Sequence, residues 1–163
     1  MWIFLNDRFV PEQDAKISVF DHGFLYGDGV YETIRSYGKR IFMRDHHLSR
    51  LQRSADAIGL TIPIPMSTWP SLLHEAMDRN QLGDEHTDAY LRITVSRGAG
   101  EIGLDPALCP QPTVVIMAKP LHPPAAALYQ GGVSLLIAQT RRNLPSALSP
   151  QIKATNFLNN ILA

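Results

Sequence analysis

FDHGFLYGDGVYETIRSYGKRIFMRDHHLSRLQRSADAIGL, residues 20–60, passes from loop to strand to hairpin to helix without interruption. Gly23, Gly27 and Gly29 punctuate its opening as a loop. Tyr31–Tyr37 then reads as a strand, and a period of two puts Tyr31, Thr33, Arg35 and Tyr37 on one face. Ser36-Tyr37-Gly38-Lys39 marks a hairpin into Arg40–Met43. Asp45 is placed to cap a helix in which Leu48, Leu51, Ala55 and Ile58 form one apolar stripe, and Gly59 closes it. A helix with a single apolar stripe needs a sheet or a second helix to cover it.

The flanking segments supply that sheet. Trp2–Leu5 and Arg8–Val10 read as short strands around an Asn6-Asp7 turn, and Lys16–Phe20 alternates polar with apolar as a third. Ala89–Ser96 and Thr113–Ala118 are further strong strands. A second helix, opened by Ser67 or Thr68, carries Trp69, Leu72, Leu73, Ala76 and Met77 on one side. The expected architecture over residues 1–118 is α+β, with two helices on one side of a mainly antiparallel sheet. Lys119-Pro-Leu-His-Pro-Pro-Ala-Ala-Ala breaks the pattern, because clustered prolines cannot continue a ladder and favour an extended connector. We therefore read 119–127 as a linker and 128–163 as a new unit. In it, Gly132–Ala138 reads as a strand and Thr140–Pro150 as a loop; from Thr155 a helix carries Phe157, Leu158, Ile161 and Leu162 on one side. A unit this small seldom encloses such a stripe, so it is expected to be incomplete.

The 163 residues are 45% apolar and 18% charged, which fits a soluble globular chain. Fifteen basic and fifteen acidic residues cancel, and the basic ones are scattered, so no nucleic-acid partner is expected. The lone Cys109 excludes an internal disulfide and suits a reducing compartment. The apolar start gives way to Asn6 and Asp7 too soon for a signal peptide or a membrane span, and the chain is read as cytoplasmic.

The candidate chemistry centres on Lys153, in SPQIKATNFLNNILA at 149–163. A lysine among apolar and small residues is a candidate for a desolvated amine of lowered pKa, able to form a Schiff base with an aldehyde cofactor. A solvated surface charge is the alternative. Arg50 follows Leu48 by two positions, about 200° around the helix, and so faces solvent or a cleft rather than the core. In a cleft its planar fork would suit a phosphate dianion. Tyr31 opens a strand after the glycines, where its phenol can reach a groove between domains or simply serve as a β-former.

Three stretches taken together, FDHGFLYGDGVYETIRSY, HHLSRLQRSADAIGL and QIKATNFLNNILA, resemble the class IV (fold-type IV) pyridoxal-phosphate aminotransferases, in the same order along the whole chain. That family includes branched-chain and D-amino-acid transaminases and aminodeoxychorismate lyases. The resemblance implies pyridoxal 5'-phosphate as cofactor, Lys153 as its Schiff-base lysine and proton carrier, Arg50 as its phosphate ligand and Tyr31 in the substrate pocket, with Arg53 a rival of Arg50. Tyr90-Leu91-Arg92 resembles the Tyr-Ile-Arg stretch of branched-chain enzymes, which implies that Tyr90 and Arg92 accept substrate carboxylates. Glu32, Arg35 and Tyr37 are alternates along the strand, and Phe24 and Tyr26 fit a pocket wall or a dimer contact.

The same resemblance implies an amino acid and a 2-oxo acid as small-molecule partners, a homodimer and a barrel-like second domain that binds the cofactor. It also implies that the chain stops short, since family members continue beyond the lysine helix and carry there the acidic partner of the pyridine nitrogen. Little turnover is expected without that partner. Branched-chain transamination leads; an aminodeoxychorismate-type lyase and a D-amino-acid or amine transaminase are alternatives, and a non-catalytic, self-associating domain fragment is a reading of another class.

Two patterns mislead. Gly98, Gly100 and Gly103 spell G-x-G-x-x-G after a strand, but Leu104-Asp-Pro-Ala-Leu-Cys-Pro-Gln-Pro follows instead of a helix, so a pocket loop is the better reading than a nucleotide site. That loop also lacks the Arg-x-His carboxylate trap of D-amino-acid transaminases. Of the six histidines, only His46 and His47 adjoin; neighbouring side chains on a helix diverge, so no metal site is expected.

Overall fold

The computed structural model describes residues 1–84 and 87–163. Its strands are β1 (Trp2–Leu5), β2 (Arg8–Pro11), β3 (Gly29–Tyr37), β4 (Arg40–Ile41), β5 (Ala89–Ser96) and β6 (Thr113–Pro120). They form one antiparallel sheet in the order β2-β1-β6-β5-β3-β4. The helices are α1 (His22–Tyr26), α2 (Arg44–Ala57), α3 (Trp69–Arg79), α4 (Ala126–Gly131) and α5 (Leu158–Leu162). The expected α+β class, with helices on an antiparallel sheet, is the one observed. Among the described residues no helix is long and apolar enough to cross a membrane.

Register is set by which residues can be buried. On β3, Val30, Glu32, Ile34 and Ser36 face inward, opposite Val95, Ile93, Leu91 and Ala89 or their neighbours on β5. On β6, Val114, Ile116 and Ala118 continue that layer, and Phe4 of β1 completes it beside Ile116. Helix α2 lies over β3 and closes the layer with Leu48, Leu51 and Ala55; α3 lies over β1 and β6 with Trp69, Leu73, Ala76 and Met77. Each fully buried Ile or Leu in such a layer contributes about 1.5–3 kcal/mol.

Both expected hairpins form. Asn6 adopts φ 60° between Leu5 and Arg8, a conformation Asn tolerates, and Gly38 adopts φ 54° between Tyr37 and Arg40. Arg97 fastens the far end of α2 to the start of β3. Its guanidinium takes Asp28 bidentately at 2.8 and 3.0 Å and donates to the Ile58 and Gly59 carbonyls at 2.8 and 2.7 Å. These two carbonyls follow the last residue of α2, whose own terminal carbonyls at Ala55 and Asp56 accept from the Ile58, Gly59 and Leu60 N–H groups.

Several local expectations need correction. Asp45 does not cap α2; the cap position is Met43 at φ 46°, and Asp45 sits in the first turn paired with Arg44 at 2.8 Å. A carboxylate there still meets the positive end of the helix. Residues Lys16–Phe20 form no strand, because Ile17, Val19 and Phe20 find no neighbour to bury them and are exposed. The glycine loop contains the short helix α1, started by Asp21, whose Oδ1 accepts from the Gly23 N–H at 2.8 Å. At the end of the proline connector and past it, Ala126–Gly131 turns helical, as a run of three alanines favours. Gly132–Ala138 pairs with no strand, and Leu135, Leu136 and Ile137 are 91–96% exposed.

Candidate active site

Residues 153–155 return to the sheet and lie along the edge of β3 that β4 leaves free. The Tyr31 N–H donates to the Lys153 carbonyl at 3.0 Å, and the Thr155 N–H donates to the Gly29 carbonyl at 2.9 Å. Ala154 bridges Val30 between them. The Thr155 hydroxyl and the Asn156 amide both donate to the Gly27 carbonyl at 2.8 Å. Gly27 has φ 68°, and a Cβ there would stand 3.0 Å from Asn156, so its lack of a side chain permits this close approach. From the other side the Lys153 N–H donates to Ser54 Oγ of α2 at 3.1 Å. The backbone of Lys153 is therefore held by a strand and a helix at once. The helix that follows, α5, contributes none of these bonds.

The Lys153 side chain points to Tyr31. Its Nζ lies 3.2 Å from the phenol oxygen and 4.4 Å from the ring centroid. Arg92 stacks its guanidinium 4.2 Å from the same centroid, with Nε donating to Thr94 Oγ1 at 3.3 Å. Phe157 contacts the ring at 5.1 Å. Tyr31, Lys153 and Arg92 thus converge around one aromatic ring, and a cleft of about 150 Å³ opens there between Tyr31, Lys153, Phe157 and Arg142. Tyr90 shares the sheet face one step away, opposite Arg35 and Lys119, with the Lys119 ammonium 5.4 Å from its ring. No contact joins Tyr90 to Lys153 among the described residues.

Arg50 stands apart from this cluster. It lines a neighbouring cleft of about 510 Å³ with Arg53, Ser54 and Gln151; Ser149 and Ile152 border both clefts. Its fork is already engaged: Nε and Nη2 donate to Glu32 at 2.5 and 2.7 Å. Glu32 is fully buried, and His47 Nδ1 lies 2.9 Å from its Oε2. Burial pushes the Glu32 carboxyl up, but hydrogen bonds and charge from Arg50 and His47 outweigh that and hold it below the usual carboxylate range. Hydrogen bonding to Glu32 in turn holds Arg50 more firmly protonated. The two-pronged geometry expected for a phosphate is spent on Glu32, and Nη1 is left without a partner among the described residues.

Ser54, Thr155 and the partnership of Glu32 with His47 escaped the sequence reading. Ser54 follows Arg50 by four positions and so shares its side of the helix. Glu32 stands between Val30 and Ile34 in the buried register of β3, a charge among core positions that marks it for a partner. The glycine-rich loop after β5 borders neither cleft. Gly98, at φ 96°, lets the chain cross Gln111, whose carbonyl would overlap a Cβ. Among the histidines, His47 is taken up by Glu32 and His22 by the Glu101 carbonyl at 2.9 Å, while His86 lies outside the described residues.

A half-buried lysine thus rests on a phenol whose ring also carries Arg92, with its backbone held against an antiparallel sheet. Residues 29–163 match the family described as amino-transferase class IV, and this chain belongs to it. Over 163 residues the chain is 42% identical to a putative branched-chain-amino-acid aminotransferase of Methanocaldococcus jannaschii, covering 100% of this chain and 54% of that protein. An aminodeoxychorismate lyase of Bacillus subtilis is 34% identical over 161 residues, covering 99% and 53%. A branched-chain aminotransferase of the thermophilic archaeon Thermoproteus uzoniensis, solved with norvaline, superposes with a TM-score of 0.87 at 31% identity, over 100% of this chain and 54% of that one. The chain spans about half the length of the curated relatives it matches.

Proposed function

We propose that this chain supplies the cofactor-lysine half of a pyridoxal-phosphate-dependent aminotransferase, one that moves an amino group between an amino acid, branched-chain by preference, and a 2-oxo acid. The observation that carries this is the Lys153 amine 3.2 Å from the Tyr31 phenol, on a backbone fixed by β3 and Ser54. Bound pyridoxal phosphate supplies an electron sink for the bond broken at the substrate α-carbon. Lys153 would hold the aldehyde carbon and, once displaced by the substrate amine, carry a proton at Nζ. Tyr31 orients that amine by accepting from it, and Arg92 and Tyr90 offer positive charge and a phenol to a substrate carboxylate. Arg50 would meet the phosphate through Nη1, with Arg53 in the same cleft.

The donors present fit an aldehyde and a phosphate. For the pyridine nitrogen they do not suffice: no carboxylate lines either cleft among the described residues. We therefore expect little turnover from these 163 residues alone. In this reading residues 1–118 form an N-terminal domain, 119–127 a linker and 128–163 the start of the cofactor-binding domain. The whole works as a cytoplasmic homodimer; the exposed Leu135, Leu136 and Ile137 support association. Likeness to a lyase favours a second reading, in which the same lysine and arginine serve elimination. Keto-acid-dependent amine exchange would mark a transferase, and pyruvate formed without an acceptor a lyase.

The test is to add pyridoxal phosphate, reduce with borohydride and map the phosphopyridoxyl group by peptide mass, with Lys153→Ala as control. Label on Lys153 alone is expected. Label scattered over surface lysines in a folded chain would remove Lys153 from its role.

A further inference from the structure

We infer that Glu32 is the positioning residue for Arg50, fixing the guanidinium so that its one free nitrogen serves the cofactor phosphate. This rests on the reading of Arg50 given above. Glu32 is 0% exposed and sits in a register of β3 whose neighbours Val30 and Ile34 are 0% and 2% exposed. An apolar residue would fill that position without the desolvation a carboxylate suffers, and a buried ion pair seldom improves on it. The charge is therefore poorly explained by folding alone. What it does accomplish is geometric. Its oxygens take Nε and Nη2 of Arg50 at 2.5 and 2.7 Å, and His47 Nδ1 at 2.9 Å closes the remaining approach to Oε2.

Arg50 keeps a side-chain exposure of 45%, so its other edge remains open. A long side chain with four torsions is thus ordered before any ligand arrives, and the ligand need not immobilise it. Ser54, one helical turn along, ties α2 to the Lys153 backbone. The helix consequently fixes both the arginine and the lysine in one frame. Holding Arg50 still relative to α2 is what makes that frame useful to a cofactor touched at two ends.

The experiment compares pyridoxal phosphate with pyridoxal, which carries the same aldehyde and no phosphate, by equilibrium dialysis against the wild-type chain, Glu32→Gln, Arg50→Ala and the double variant. Glutamine keeps the size of Glu32 but turns one acceptor into a donor facing the guanidinium. We expect Glu32→Gln to weaken pyridoxal phosphate about three- to tenfold, as for one unfixed long side chain, with pyridoxal unchanged and no further loss in the double variant beyond Arg50→Ala. Equal weakening of both ligands, or additive losses, would overturn the inference.

A second readout separates it from the functional reading. Solvent exchange of the Arg50 Nε–H, followed by NMR with and without inorganic phosphate, should be slow in the wild type and at least about tenfold faster in Glu32→Gln, a change that one buried hydrogen bond lost would produce. Fast exchange in the wild type would sink the positioning role even if the cofactor binds. Slow exchange with no preference for pyridoxal phosphate would leave Glu32 holding an arginine that meets no phosphate, which overturns both.

Discussion

The two faces of the sheet are assembled from alternate residues of the same strands, yet one holds the molecule together and the other carries the candidate site. On the helix-covered face Val30, Ile34, Leu91, Ile93, Val95 and Ile116 are at most 2% exposed. On the open face Tyr31, Thr33 and Arg35 stand opposite Thr94, Arg92 and Tyr90, and Lys153 comes to rest on Tyr31. A slip of β3 by one residue would exchange the two sets. The packing that buries Ile34 therefore also aims Tyr31, and the site inherits its geometry from the core. Among the described strand residues Glu32 alone crosses the division, a charge on the covered face that accepts from Arg50 on the helix above it.

The sharpest way to break this contrast is to truncate adjacent residues of β5. Ile93→Ala, in the fully buried layer, should lose about 2–5 kcal/mol in a urea unfolding experiment. Arg92→Ala, next to it and on the other face, should cost less, about 1–2 kcal/mol, since it gives up one half-buried cation stacked on the buried Tyr31 ring. Comparable losses for the two would mean that the open face also carries the fold.

Glu32 provides a smaller effect, visible in the pH dependence. Its folded pKa lies below the ordinary value, so the folded state binds its proton less readily than the unfolded chain does. The corresponding stability is fully present above the unfolded value, about 4.3 for a glutamate, and is lost as pH falls through the folded one. Glu32→Gln should therefore be less stable than wild type at neutral pH, with the gap narrowing as pH falls below about 4, where a glutamate becomes protonated. A gap that stays constant from pH 7 to the acid limit would show that charge is irrelevant there.

Much of this was legible before any coordinates. Period-two alternation in β3 and β5 and the apolar stripes of α2 and α3 are strong signals, because burial on one side leaves them few other arrangements. The hairpins at Asn6 and Gly38 were equally readable from residues that tolerate positive φ. What failed was local. Lys16–Phe20 has strand periodicity but no neighbour to pair with, and Gly132–Ala138 fails in the same way. Pattern reports what a segment can do; pairing depends on what lies beside it. Lys153, Arg50 and Tyr31 are candidates on residue chemistry as well as on resemblance, Tyr90 and Arg92 on resemblance, and the structure joins Lys153, Tyr31 and Arg92 around one ring while leaving Arg50 in the next cleft. The contacts that organise the site, Ser54 to Lys153 and Glu32 to Arg50, span 99 and 18 residues. Neither span can be inferred from periodicity, since each depends on how the helix settles on the sheet.

A small expected effect on the fold is also the most informative about the candidate site. Tyr31→Phe removes only the hydroxyl that meets Lys153 Nζ at 3.2 Å. The ring remains for Arg92 and Phe157, so the loss of stability should stay near 0.5–1.5 kcal/mol, about the worth of one hydrogen bond. The amine, however, loses the atom that orients it, and a lysine free to sample its rotamers meets an aldehyde less often in a reactive pose. We expect borohydride-trapped label at Lys153 to fall about three- to tenfold at fixed pyridoxal phosphate, a loss of orientation well under the full effect of proximity. If the label is unchanged while the unfolding midpoint drops, Tyr31 belongs to the scaffold after all, and the open face would carry less of the chemistry than its geometry indicates.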